Sequence, residues 1–467
     1  MPDVVVIGGG VSGMTVGFEL VEAGLDPAEL GVLEAADRPG GHIRAERAEG
    51  YVVEAGPNGF LDNSPPTLEL VERLGLTDRL LPSNDAAAIR YIFTRGKLRS
   101  VPKGPGGMLT SGLLTLPGVL RVFKEPFVKT GGDPEESVFD FAARRIGEEA
   151  AATLVDAMVS GVFAGDARQL ELVAAFPKMA AMEAEHGSLV KAMIAIRKQR
   201  KRDAAGKGDA TAAPQGGPSG PAGRLTSFID GFEELPRALA ARLGPSLRTS
   251  CPVNRLERTE HGWRVYFEGG EPIEARAVVL ACPAPLAAQI AGGVDETLER
   301  ELSAIRSTTV AVVATGYPID RVGGAPEGFG FLVPRGQEVR ILGCLWTSSI
   351  WNGRAPDDRV LLRTMVGGAH DPDSVELSDD ELLAIVRGDL SRTMGIEAEP
   401  VFTRVFRHRL GISQYPPGHT ARLGRIREIL ARYPGLFISG SSYGGIAVNH
   451  CVAEAPAVAA KVIVAGT

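Results

Sequence analysis

Val4-Val5-Val6-Ile7-Gly8-Gly9-Gly10-Val11-Ser12-Gly13 decides how this chain is read. Four consecutive branched apolar residues form a buried strand, and the glycines that follow admit a tight turn into a helix. Gly8 lets the chain leave the strand sharply, Gly10 lets the backbone approach a pyrophosphate, and Gly13 lets the helix pack closely on the strand. Met14, Val16, Phe18, Leu20 and Val21 continue as a helix, and Gly31-Val32-Leu33-Glu34 ends a second strand. Glu34 falls about twenty residues beyond the glycines, where a carboxylate accepts hydrogen bonds from ribose hydroxyls. The helix N-terminus offers free N–H groups and partial positive charge to phosphates. The stretch thus implies a βαβ unit with a dinucleotide on Gly8, Gly9, Gly10, Val11, Ser12, Gly13 and Glu34.

Arg38-Pro39-Gly40-Gly41 follows and resembles the extension after strand two in two-dinucleotide-binding flavoproteins, which implies FAD rather than NAD. The 467 residues allow two or three domains, and 44% hydrophobic content is ample for packed cores. A net charge of -7 argues against a nucleic-acid partner. Cys251, Cys282, Cys344 and Cys451 are dispersed, with no CxxC pair, so neither zinc nor a redox dithiol is implied and a reducing compartment fits. No histidine pair has metal-ligand spacing backed by carboxylates, and no metal site is expected. The first apolar run is short and lacks a basic leader, so it is not a signal peptide. No run of about 18 apolar residues reads as a membrane span.

Patterning divides the chain. Residues 1–85 read as the first part of the nucleotide domain and 86–101 as a strand, turn and strand opening a second domain. Residues 102–203 have helical periodicity. Met108 to Phe127, apolar but broken by Gly and Pro, leaves two readings open. It can lie on a bilayer with Lys103, Arg121, Lys124 and Lys129 at the headgroups, or pack an ordinary helical subdomain. Arg197 to Arg202 reads as a solvated helix end, and 204–223, rich in Gly, Ala and Pro, as a mobile linker. Residues 224–300 and 423–467 return to nucleotide-domain patterning, with Leu436 to Gly440 as a late strand, and 301–422 as the sheet of the second domain. The expected fold is α/β (α+β): a discontinuous Rossmann-like FAD-binding domain, a mixed-sheet substrate domain and a helical domain.

Further segments carry a resemblance over nearly the whole length to the oxygen-dependent protoporphyrinogen oxidase family, within the monoamine-oxidase and phytoene-desaturase-like flavoproteins. They are Glu54 to Phe60, Gly161-Val162-Phe163-Ala164-Gly165-Asp166, Phe228 to Phe232, Gly328 to Pro334, Gln414-Tyr415 with Gly418-His419, and Val448-Asn449-His450-Cys451. The resemblance implies FAD contacts at Gly8 to Gly13, Glu34, Arg38, Gly41, His42, Gly56, Pro57, Asn58, Gly59, Val253, Ile446, Ala447 and Val448. It implies substrate contacts at Arg90, paired with a propionate, at Asn58 and Gly161, and at Leu332, Leu345 and Met365 around the ring. No side chain is expected as catalytic acid or base, because the flavin performs the chemistry.

The implied activity is six-electron oxidation of protoporphyrinogen IX to protoporphyrin IX by dioxygen. The implied setting is the cytoplasm, with peripheral contact on the cytoplasmic membrane, a homodimer and hand-off of the product to a ferrochelatase. Other readings are a coproporphyrinogen oxidase, which calls for extra basic residues, an amine or carotenoid oxidase on the same scaffold, and a flavin- or porphyrin-binding carrier. An amine oxidase calls for an aromatic cage and commonly a lysine near the flavin. By default Arg90 is a surface charge, Leu332, Leu345 and Met365 are sheet core, and Asn58 caps a turn. The chain departs from the family pattern at His408, Ser413, Ser441-Ser442 and His450.

Overall fold

Val4–Ile7 (β1) is buried on both faces, which is what a near-continuous branched apolar run produces at the centre of a parallel sheet. The computed structural model describes residues 2–102, 104–207 and 223–465. In it β1 lies third in a five-stranded parallel sheet of order Leu247–Arg248, Leu30–Leu33 (β2), β1, Ala277–Leu280, Leu436–Ile438. One face is covered by the helix Val11–Glu22 (α1) and the terminal helix Val448–Val464, sealed by Phe228, Phe232, Leu235 and Leu239. The other is covered by Trp263, Val265 and the helices Ala284–Ala291 and Glu296–Ser303. Strands from the beginning, middle and end of the chain thus share one sheet. The expected linker lies mostly outside the described residues, and the helix Leu189–Lys207 covers its first part.

A seven-stranded sheet forms the second body. Its strands are Tyr91–Thr94 (β3), Lys97–Ser100 (β4), Ser307–Pro318 (β5), Gly330–Leu332 (β6), Ile341–Trp346 (β7), Arg359–Gly367 (β8) and Phe402–Ser413 (β9), in spatial order β9-β5-β8-β7-β6-β3-β4. Only β6 and β3 run parallel. The β3–β4 turn places Arg95 and Gly96 at φ of 52° and 68°, the left-handed pair a two-residue hairpin demands. One face packs on Leu382, Val386 and Leu390 of the helix Asp379–Met394, whose N-terminus carries a Ser378/Glu381 capping box. The opposite face looks toward the nucleotide domain. Strand β9 was not expected, although Phe402, Arg404, Phe406 and His408 fall on one face at period two.

Between β4 and residue 207 the chain is helical. A buried ion network holds this region: Arg145, with no exposed side-chain surface, donates to Glu125 and, at 3.0 Å, to Glu183. Arg144 bridges Glu183 to Glu136. Burial pushes the Glu125 carboxyl up, but donors from Ser188, Arg145 and the Leu189 and Val190 N–H groups hold it below the ordinary carboxylate value.

His419 stands at the start of the helix His419–Leu430, 1% exposed and stacked on Tyr415 at 4.4 Å. Neither ring nitrogen has a hydrogen-bond partner. Burial, then the Arg422 charge, lowers its pKa from 6.5 to about 4. Between those values the unfolded chain binds a proton the folded one refuses, so the contribution is complete above pH 6.5 and lost as pH falls toward 4. The loss amounts to up to about 3 kcal/mol. His419→Phe, which keeps the aromatic stack, is expected to flatten the pH dependence of denaturant unfolding across that window; an unchanged slope would exclude His419 as its source.

Candidate functional site

The nucleotide end is a cradle of glycines with two distinct roles. A Cβ on Gly13 would sit 2.0 Å from the Gly8 carbonyl, and Gly8 itself is at φ 117°. Both are therefore fixed by the chain's own packing. A Cβ on Gly10 would meet nothing closer than Gly41 Cα at 3.9 Å, so packing alone does not require glycine there. The open space suits close approach of a phosphate. Gly10 caps α1 in an extended conformation, with no side-chain cap and no acidic residue in the first turn, which leaves the N–H groups of Val11 and Ser12 unscreened. Glu34 accepts from Gly9 N–H at 2.7 Å and Ala36 N–H at 2.8 Å, which fixes its carboxylate at the end of β2. Cys251 N–H donates to the Glu34 carbonyl at 2.8 Å, bringing the segment leading to Val253 alongside.

Gly40 N–H donates to the Gly9 carbonyl at 2.8 Å, and Arg38 folds back onto the Pro39 and Gly41 carbonyls, so the second glycine pair closes over the first turn. A Cβ on Gly56 would lie 2.1 Å from the His42 carbonyl and one on Gly59 2.5 Å from the Thr226 carbonyl. The segment through Pro57 and Asn58 is thus pressed against backbone on both sides, and the Asn58 amide makes no hydrogen bond among the described residues. Ile446, Ala447 and Val448 form the uncapped start of the terminal helix, a second N-terminus without an acidic first turn. These residues fit a flavin dinucleotide: two unscreened helix ends for its phosphates and polar groups, a held carboxylate for the ribose, and a glycine with open space beside it where a phosphate can approach.

The second sheet grips the flavin loop by three consecutive carbonyls. Arg363 of β8 donates to the carbonyls of Glu54, at 2.8 Å, and Gly56; His408 of β9 lies 2.8 Å from that of Ala55. Arg363 is fully enclosed, and burial pulls its pKa down to about 10 against the opposing field of Glu54. Glu54 is itself buried, pushed up to about 7 by burial against the pull of Arg354. His408 and His42 meet edge to face at 5.1 Å. His42 faces the cleft, yet crowding, the neighbouring His408 and Arg38 lower its pKa to about 4, so it is neutral at physiological pH.

Register brings the expected substrate residues onto one sheet face. Leu332 pairs with Gly343, Gly343 with Met365, and Met365 with Val312; one step along, Gly330 pairs with Leu345 and Leu345 with Arg363. Alternation then puts Leu332, Leu345, Met365 and Arg363 on the face toward the flavin loop. Gly161 lies directly over Leu332, where a Cβ would come within 2.5 Å of the leucine. Arg90 immediately precedes β3, its guanidinium 5.2 Å from the Phe329 ring and without a carboxylate partner among the described residues. It opens on the cleft, yet surrounding protein alone lowers its pKa. The structure therefore brings together all six expected substrate residues except Asn58, which stays with the flavin loop.

Sequence reasoning missed Arg363, Glu54 and Arg354. Only the unusual charge within Val360-Leu361-Leu362-Arg363-Thr364-Met365 signalled the first. Two departures prove to be partners: buried Ser413 and Ser442 share a 3.0 Å hydrogen bond, and Ser442 also accepts from Ala284 N–H. His450 leans on Gly445, where a Cβ would be 2.2 Å from its Nδ1, while the adjacent Asn449 ties the terminal helix to Thr67 and Leu61. Among the described residues no cluster of His, Cys, Asp and Glu could hold a metal.

Residues 11–463 match the family of flavin-containing amine oxidoreductases, and the chain belongs to that family. It is a flavin oxidoreductase whose cofactor is FAD. It is 32% identical over 471 residues to the coproporphyrinogen III oxidase of Bacillus subtilis, covering 97% of this chain and 96% of that protein. It is 33% identical to the chloroplastic protoporphyrinogen oxidase of rice, covering 96% and 86%. A provisionally named protoporphyrinogen oxidase from Exiguobacterium sp. 255-15 superposes with TM-score 0.83 and 26% identity over 99% of each chain. Putrescine oxidase, at 0.70 and 19%, shares the fold.

Gly10 and Gly13 separate ligand contact from folding. Gly10→Ala is expected to unfold like the parent but to bind FAD at least tenfold more weakly, about 1.4 kcal/mol. Gly13→Ala is expected to lose thermal stability as well, because the clash is with backbone. Flavin absorbance per chain and thermal unfolding of the two variants distinguish these outcomes.

Proposed function

We propose that this enzyme oxidises protoporphyrinogen IX to protoporphyrin IX, with dioxygen as acceptor. The observation that carries the reading is a broad apolar sheet face, Leu332, Leu345 and Met365 under Gly161, ending in the unpaired guanidinium of Arg90. From β3 to β8 it spans three inter-strand steps, about 14 Å. A flexible macrocycle with acidic side chains on one edge matches an apolar floor with a cation at its rim. FAD, when bound, would supply the redox chemistry, three two-electron oxidations each balanced by reduction of dioxygen to hydrogen peroxide.

The chain's own part is positioning. Leu332, Leu345 and Met365 exclude water and support the macrocycle, Arg90 fixes its rotation through a propionate, and Arg363 with His408 hold the flavin loop at a set height above the floor. No acid–base pair is required, which agrees with the neutral His42. Coproporphyrinogen III, with four propionates, is the second reading, favoured by the name of the Bacillus relative and by the cations at this face. The amine-oxidase reading is disfavoured, because no lysine occurs between Lys207 and Lys461, a span that includes all of β5 to β9.

Peripheral membrane contact forms part of the proposal. The helix Leu116–Phe123 and its flanks expose Leu109, Leu116 at 63%, Leu120, Phe123 and Phe127 at 87%, with Lys124 and Lys129 alongside. Arg121 is committed elsewhere, donating to the Arg144 and Arg145 carbonyls, and Lys103 lies outside the described residues. No helix among the described residues is long and apolar enough to cross a membrane.

Anaerobic mixing with protoporphyrinogen is expected to bleach the flavin band, with porphyrin absorbance growing once air is admitted; a band that stays oxidised would overturn the substrate. Arg90→Ala is expected to raise KM at least tenfold, about 1.4 kcal/mol, and an unchanged KM would remove Arg90 from the site. The protein is expected to sediment with vesicles containing anionic phospholipid, and Leu116→Asp with Phe127→Asp to abolish this without affecting turnover in solution.

A further inference from the structure

We propose that Arg99 is a second carboxylate anchor, so that Arg90 and Arg99 together hold the propionates of two neighbouring pyrroles. This rests on the tetrapyrrole reading given above. Strand β4 pairs with β3 so that Arg99 stands opposite Ile92, and Val101 N–H donates to the Arg90 carbonyl at 2.7 Å. Arg90 and Arg99 are therefore diagonal neighbours across the hairpin, with Cβ atoms about 7–8 Å apart. Ile92 and Val101 pack in the cluster that contains Leu332, whereas Leu98 packs on the opposite face. By alternation Arg99 shares the face of Ile92, Leu332 and Met365.

The Arg99 guanidinium lies against Gly112, where a Cβ would be 2.2 Å from Nη1; glycine at that position, with φ 67°, makes room for it. Its Nε is buried without an acceptor, and neither Arg99 nor Arg90 makes an ion pair among the described residues. Arg95 on the same hairpin shows the contrast: it is taken up by Glu149 at 2.8 Å and the Gly112 carbonyl. A buried donor without a partner costs stability unless a ligand satisfies it. Two propionates on adjacent pyrroles flank a single bridge, and in an apolar cleft their charges repel unless each meets its own cation. A pair of unpaired guanidiniums on one face answers that need and fixes which edge of the macrocycle enters first.

The test is equilibrium binding of protoporphyrin IX and its dimethyl ester to the FAD-loaded enzyme, followed by quenching of porphyrin fluorescence. Arg99→Gln is expected to weaken binding of the diacid about tenfold and leave the ester unchanged, with Arg99→Lys restoring most of the loss. Normal diacid affinity in Arg99→Gln, alongside a tenfold loss in Arg90→Ala, would overturn the second anchor while preserving the tetrapyrrole site. A parent enzyme that binds neither form would overturn the site and the anchor together. Should Arg99→Gln not fold, equal affinity of the parent for diacid and ester would overturn the proposal.

Discussion

Three consecutive backbone carbonyls, of Glu54, Ala55 and Gly56, are held by two side chains of the facing sheet, and the active cleft depends on that grip. Arg363 is cut off from water, so its charge persists only because carbonyl oxygens and the nearby Glu54 compensate it. Such a group tolerates little movement: displacing the loop would strand a buried cation. The separation between the flavin loop and the floor of Leu345 and Met365 is thereby fixed by electrostatics, and loop flexibility is not available to vary it. His408 reinforces the grip from the next strand but one, and through its contact with His42 connects it to the glycine pair that closes over the dinucleotide turn.

The charges of the cleft are sorted by position. The middle is apolar or neutral apart from Arg363, whose charge is taken up by the Glu54 and Gly56 carbonyls, with His42 held uncharged by crowding, while guanidiniums stand unpaired at the β3–β4 edge. An anionic substrate with an apolar body can be oriented by such a surface without any group that titrates during the reaction. The helical region contributes Gly161 as a close-fitting roof, and its own integrity rests on the buried Arg145 network, so the roof is tied to a set of ion pairs remote from the cleft.

The sequence was most legible where backbone geometry and short-range pattern coincide. Gly8 and Gly13 could be assigned roles because a turn and a close helix contact each demand a missing side chain, and the structure shows both. The paired strands β3 and β4 were readable from the Arg95-Gly96 turn. Strand β9 passed unread because its alternation is carried by Phe402 and Phe406 among three arginines and a histidine, residues that look solvent-exposed until a neighbouring domain covers them. Ser413 stood out only as a departure from the family pattern, because its partner, Ser442, is distant in sequence.

By itself the sequence determined the nucleotide module, the discontinuous order of its pieces and the family, since glycine spacing, strand hydrophobicity and motif order are properties of the chain read locally. Only the tertiary structure decided which arginines are free and which are committed. Arg90, Arg95, Arg99, Arg354 and Arg363 are equivalent as letters, and what separates them is whether a carboxylate or a carbonyl from elsewhere in the chain reaches each guanidinium. That depends on strand register and domain contact, and therefore on interactions between residues tens to hundreds of positions apart.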